Sequence, residues 1–305
     1  MNKEYFHNQT RVLLKVLPLV LEDSRFALKG GTAINLFIRE MPRISVDIDL
    51  TYLPLQDRQT SLQTISDLLQ NTADKILQNF PDLQIEKKLL GKTKTLQKLV
   101  VHSADANIKI EPNFILRGTV FDSQEIELSK KAQDYFGMFM TARTLSVPDL
   151  YAGKICAALD RQHPRDLFDI KFLLENDGVT DSIRKAFVVY LASHNGSMCD
   201  LLNPNEKDIL SIYENEFVGM IEDSVGCSEL IQVRKRLIHT IQTELTNEER
   251  RFLLSIKQAK PEWNLLGIEG LEKLPAIQWK LNNIQKLQAQ KHKQLINKLK
   301  SILQL

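Results

Sequence analysis

The chain has 305 residues, is 43% hydrophobic and 26% charged, and carries a formal net charge of +2. This is globular composition, long enough for two domains, and it excludes nucleic-acid binding by bulk charge, so any such binding needs a local basic surface. Three widely spaced cysteines, Cys156, Cys199 and Cys227, argue against a disulfide framework and fit a reducing cytoplasm.

The first apolar stretch, Val12 to Leu21, is interrupted by Lys15 and Pro18. It is too short and broken to span a membrane and reads as a buried helix. Phe26 to Leu28 is a short apolar run, followed by Lys29-Gly30-Gly31-Thr32 and a helix-like stretch over Ala33 to Arg39. Ser45 to Tyr52 alternates, with Val46, Ile48 and Leu50 on one face and Asp47, Asp49 and Thr51 on the other. Such alternation predicts a strand with one open face. Asp57 to Phe80 reads as a long helix. Strand-like runs follow at Leu83 to Leu89, Leu96 to His102 and Ala106 to Leu116, the last two joined tightly at Ser103-Ala104-Asp105. Short strands are expected at Glu125 to Leu128 and Phe136 to Met140.

From Pro148 the pattern turns helical, which sets a domain boundary near Ser146-Val147-Pro148. Helices are predicted over Pro148 to Arg161, Pro164 to Glu175, Asp181 to Ser193, Asn205 to Met220, Glu229 to Glu244 and Asn247 to Ala259. After Glu272 there is no acidic residue, while Lys273, Lys280, Lys286, Lys291, Lys293, Lys298 and Lys300 remain. Ile284, Leu287, Leu295, Leu299 and Leu303 mark this tail as amphipathic. Its lysines are either a phosphate-binding surface or the solvated face of a helix packed on the second domain. The expected architecture is α+β: a mixed-sheet domain over 1–147 and a helical domain over 148–305.

The chemistry concentrates in two blocks. In the first, a Gly30-Gly31 turn lets backbone amides approach a phosphate, and a helix beginning beside it adds partial positive charge. The Thr32 hydroxyl is a candidate phosphate donor. Asp47 and Asp49, two apart on a strand, point the same way and repel unless a hard cation such as Mg²⁺ sits between them. A glycine pair alone is usually a turn, and Asp-x-Asp alone is often a solvated face. Aspartate is depleted from strands, however, so two on one short strand need a reason. The ordered set is far more specific than its parts. In the second block, Lys154 lies on one predicted helix, with Arg161 about two turns on along a similar face. Pro164 suits the start of the next helix, where Asp166 and Asp169 share a side. By composition alone, Asp166 is a first-turn acid, Asp169 a partner for Arg165, and Lys154 a surface lysine.

The stretch from Lys29 to Asp49 resembles the first motif of the polymerase-beta-like nucleotidyltransferases. The form Gly-Gly-Thr-Ala followed by Arg43-x-Ser45-x-Asp47-x-Asp49 resembles the AbiEii/AbiGii toxin branch, as does Asp149 to Leu159 with Arg165-Asp166-Leu167-Phe168-Asp169. The resemblance spans roughly Phe26 to Leu174. It implies a metal-dependent nucleotidyltransferase toxin using an NTP with Mg²⁺ or Mn²⁺, and a separately encoded antitoxin. It implies transfer to an acceptor such as the 3′ end of tRNA. It makes Asp47, Asp49, Lys154 and Asp166 catalytic candidates, and Gly30, Gly31, Thr32, Ser45, Lys154 and Arg165 nucleotide-binding ones. A third carboxylate from a later strand falls on Glu111, giving Asp47, Asp49 and Glu111 as the metal set. Transfer to a small molecule or a protein side chain, and a non-catalytic module of the same fold, are the competing readings. There is no Walker-type Gly-Lys-Ser/Thr, no His-Glu-x-x-His and no kinase catalytic-loop string.

Overall fold

A computed structural model describes residues 3–222 and 224–305. The chain divides into two compact units, Met1–Ser146 with Glu214–Ser224, and Val147–Tyr213 with Val225–Leu305.

The first unit is built on a seven-stranded mixed sheet in the order β3-β4-β5-β2-β1-β7-β6. The strands are β1 (Phe26–Lys29), β2 (Asp47–Tyr52), β3 (Gln84–Leu89), β4 (Leu96–His102), β5 (Asn107–Asn113), β6 (Gln124–Glu127) and β7 (Thr141–Thr144). Its helices are α1 (Lys3–Val20), α2 (Gly30–Ala33), α3 (Arg58–Asn79) and α4 (Lys130–Phe136). One face of the sheet is apolar: Ile48, Leu50, Leu99, Val101, Ile108 and Ile110 are fully buried. They pack with Leu13, Leu17, Ile65, Leu69 and Ile76, whose helices α1 and α3 contact β5, β2 and β4. Asp57 caps α3 by accepting the Thr60 amide, which satisfies one of the orphan donors of a helix start.

Three expectations shift here. The helix after β1 begins at Gly30 itself and widens into a π-helical turn over Ile34–Ile38. The region expected as a strand at Phe136 to Met140 instead closes α4 at Gly137, whose left-handed φ of 65° suits a helix stop. The strand is the following segment, β7, which runs parallel to β1 and antiparallel to the edge strand β6. The predicted helix over Asn205 to Met220 is broken into a short turn, a π turn and a 3-10 turn. Its end runs extended into the first unit, where the Ile44 amide donates to the Met220 carbonyl and Arg43 bridges Ile221. Gly219 disfavours continued helix there.

The second unit is helical: α5 (Val147–Asp160), α6 (Pro164–Asn176), α7 (Asp181–Ser193), α8 (Met198–Leu202), α9 (Leu210–Ile212), α10 (Cys227–Glu244), α11 (Asn247–Lys257), α12 (Pro275–Gln285) and α13 (Ala289–Ile302). Start signals are written in the chain. Pro164 opens α6, Thr180 caps α7, and Thr246 with Glu249 forms a reciprocal capping box on α11. The core is Tyr151, Ile155, Phe187, Leu191, Leu237, Phe252 and Ile256, all buried. The tail folds as two helices rather than one. On α13, Leu299 is buried, and Leu303 just after the helix is buried too, while Lys291, Lys293, Lys298 and Lys300 are exposed. Lys280 turns inward and donates to the His194 and Gly196 carbonyls, both at 2.7 Å, and burial lowers its pKa to about 8. Among the described residues no helix is long and apolar enough to cross a membrane, and the three cysteines are free thiols.

Candidate active site

β2 lies antiparallel to β1 and parallel to β5, so Lys29 stands opposite Asp49, Lys109 beside Asp47, and Glu111 beside Asp49. Residues paired in register share a face. Asp47 and Asp49 are therefore on the side of the sheet opposite Ile48 and Leu50, and both are partly open to solvent. This follows from the alternation: the apolar residues go to α1 and α3, and the aspartates are forced outward.

The Gly-Gly turn fits against this strand without slack. Gly30 has a φ of 73°, and a Cβ there would overlap the Asp49 carboxylate. A Cβ on Gly31 would overlap the Arg43 guanidinium. Only glycine permits both the left-handed backbone and the close approach. Arg43, 4% exposed, is the residue whose position the motif encoded but whose role its spacing did not reveal. Its Nη1 donates to the Ile44 carbonyl at 2.9 Å, holding the cation beside the turn.

Thr32 and Ser45 turn inward. Both are buried. The Thr32 hydroxyl donates its proton to the Asp47 carbonyl at 2.5 Å, and its oxygen lies 2.9 Å from Ser45 Oγ. A hydroxyl has one proton, so Ser45 is the donor to Thr32. The Ser45 carbonyl in turn accepts from Thr10 Oγ1 at 3.0 Å. Neither hydroxyl is free for a phosphate. Together they tie the glycine turn to the start of β2.

Glu111 has a cation beside it in the sheet. It accepts from Lys98 Nζ at 2.7 Å, and among the described residues no three His, Cys, Asp or Glu are gathered to hold a metal. The tight turn between β4 and β5 carried the signal: counting back equally from it places Lys98 opposite Glu111. Both partners are about a third exposed, so the pair contributes only about 0–1 kcal/mol. Asp47 and Asp49 remain as two same-face carboxylates, a donor set that fits a hard divalent cation completed by phosphate oxygens and water.

The second block is a closed ion cluster. Lys154 on α5 pairs with Asp166 at 2.9 Å and Asp169 at 2.8 Å, both on α6. Arg161 donates to both Asp166 oxygens, at 2.5 and 2.9 Å. The aspartate side chains are 0% exposed and Lys154 7%. Lys154 is thus not a surface lysine, and Asp169 is paired to it. Burial alone would raise the Asp166 carboxyl, but Lys154 and Arg161 outweigh it and hold the group well below the ordinary carboxylate range. The Arg165 amide donates to His163 Nδ1 at 3.1 Å, completing the α6 cap. Asp149 heads the second motif without an assigned role; buried in the first turn of α5, it accepts from Tyr190 Oη at 3.0 Å.

A glycine turn pressed against paired carboxylates, on the open face of a mixed sheet, is the arrangement of a nucleotidyltransferase. The sequence matches the family described as "Nucleotidyl transferase AbiEii toxin, Type IV TA system" over residues 11–283. The chain belongs to this family of nucleotidyltransferase toxins of type IV toxin–antitoxin systems. Its fold is similar to that of MenT4, a nucleotidyltransferase toxin from Mycobacterium tuberculosis H37Rv. That match has a TM-score of 0.62 and 13% identity, and covers 93% of this chain and 95% of the other. No curated protein matches the chain.

Proposed function

We propose that the protein transfers a nucleotide from an NTP to the 3′ hydroxyl of an RNA, tRNA being the acceptor the family resemblance favours. The observation that carries the reading is the pair Asp47 and Asp49 on one open strand face, with Gly30 packed against Asp49. The two carboxylates would hold Mg²⁺ or Mn²⁺, which would neutralise phosphate charge and favour in-line displacement. The Gly30–Gly31 amides receive the phosphates, and Arg43, buried against Gly31, holds the turn in place. The acceptor hydroxyl oxygen bonds to the α-phosphorus as the bond to the bridging oxygen breaks. Pyrophosphate leaves with that electron pair, and the hydroxyl proton passes to solvent. Thr32 and Ser45 keep the turn and strand in register. Lys154, Asp166 and Asp169 act as a positioning cluster that joins α5 to α6, and Glu111 stays with Lys98. Antitoxin control is expected from a separately encoded partner.

The test is Asp49→Asn assayed with each radiolabelled NTP and total RNA. Transfer falls by about 10²-fold or more while the melting temperature is unchanged, and EDTA abolishes wild-type labelling. Undiminished labelling in the variant or in EDTA overturns the site assignment. A label on protein rather than RNA overturns the acceptor.

A further inference from the structure

The open face bearing Asp47 and Asp49 continues across β5 and β4 to the edge strand β3. In register, Lys88 on β3 stands opposite Lys98 on β4. Lys98 reaches Glu111 on β5, which stands beside Asp49 on β2. The neighbouring row runs Glu86, Val100, Lys109, Asp47. Lys87 points to the opposite face, where it meets Gln70 and Asp74 of α3 at 3.0 and 3.8 Å. The hairpin turn between β3 and β4 adds Lys92 and Lys94, both exposed. From residue 87 to residue 104 the chain has five lysines and no acid. Among the described residues Lys92, Lys94 and Lys109 form no ion pair, whereas Lys88 pairs with Glu86.

Lysines on an edge strand commonly serve only to block pairing with another chain. That explanation covers Lys88. It does not cover Lys109 on the interior strand β5, nor the two turn lysines, which have no strand edge to protect.

We propose that the β3–β4 hairpin and the adjoining open face bind the phosphate backbone of a single-stranded RNA and lead its 3′ end to Asp47 and Asp49. The inference rests on the RNA-transfer reading above. Strands lie about 4.8 Å apart, so Lys88 is about 14 Å from Asp49 along the row. That is the rise of roughly four stacked nucleotides. Lys92, Lys94 and Lys88 hold the entering backbone, and Lys109 meets the phosphate nearest the carboxylates. The transfer site at Asp47 and Asp49 takes the terminal hydroxyl, which gives the track a direction.

The experiment compares the full-length wild type with a Lys88→Gln, Lys92→Gln, Lys94→Gln triple variant. The probes are a fluorescein-labelled single-stranded RNA 12-mer for binding, and total RNA with radiolabelled NTP for transfer. The variant binds the 12-mer roughly tenfold or more weakly at 0.1 M salt, and its salt slope falls by about 0.7 per lost contact. Its KM for RNA rises, while its KM for NTP and its melting temperature stay as in the wild type. Equal affinity and slope in the two proteins, with RNA labelled by both, overturn the hairpin assignment and leave the transfer reading standing. A wild type that neither binds nor labels RNA overturns both. An equal loss of affinity for polyglutamate reassigns the surface to an acidic protein partner and overturns the RNA track.

Discussion

On β2, Asp47 and Asp49 face outward from the sheet, side by side and partly solvated. Between α5 and α6, Asp166 and Asp169 are sealed from solvent and matched by Lys154 and Arg161. Both blocks are aspartate pairs at close spacing, and both belong to motifs that resemble the same family. The difference is where the counter-charge comes from. The strand carboxylates stay partly solvated, and on the proposed reading a metal ion adds to their counter-charge. The helix pair carries its own counter-charge in Lys154 and Arg161. A motif residue can therefore belong to the chemistry or to the scaffold that holds it, and burial together with local pairing separates the two roles.

Three substitutions or conditions sharpen this contrast. The largest stability effect is expected at Lys154→Ala. Removing the cation leaves two buried carboxylates short of their main partner, and stability should fall by about 3–5 kcal/mol in urea unfolding. Asp49→Asn should fall within about 0.5 kcal/mol of wild type in the same assay. Equal losses in the two variants would remove the distinction between site and scaffold.

Acid is next in size. The folded-state pKa of Asp166 is depressed, so its contribution is fully present above the unfolded value of about 3.9 and is lost as pH falls below it. Unfolding free energy measured downward from pH 5 should drop more steeply in the wild type than in Asp166→Asn, which cannot bind that proton. Parallel curves would show that the α5–α6 cluster does not govern acid stability.

The smallest effect is expected on α13. Lys291, Lys293 and Lys300 project to solvent, and Lys298 meets Asp200 only at 3.4 Å with both partners exposed. Changing all four to Gln should alter stability by no more than about 1 kcal/mol, because exposed charges and a loose surface pair contribute little. If instead this variant loses RNA affinity to the extent expected of the β3–β4 hairpin variant, the basic tail is a second RNA surface. A gel-shift titration of the two variants in parallel decides it.

The period of two from Ser45 to Tyr52 determined by itself that Asp47 and Asp49 share a face opposite Ile48 and Leu50, because a strand admits only two sides. The glycine pair, the proline at the start of α6 and the capping residues are likewise local, and so were the α+β order and the ends of most helices. Tertiary structure alone decided what those side chains meet. Lys154 sits on a helix whose own pattern does not say that a neighbouring helix will bring Asp166 and Asp169 against it. Thr32 looked free until β2 brought the Asp47 carbonyl within reach of its proton. Glu111 meets Lys98 only because β4 lies beside β5. The segment after α8 read as helical, yet its end pairs with Arg43 and Ile44, residues more than 170 positions earlier in the chain. Periodicity records which side of an element faces inward. The partners of a charge depend on contacts between elements far apart in sequence, and those are set only when the elements pack.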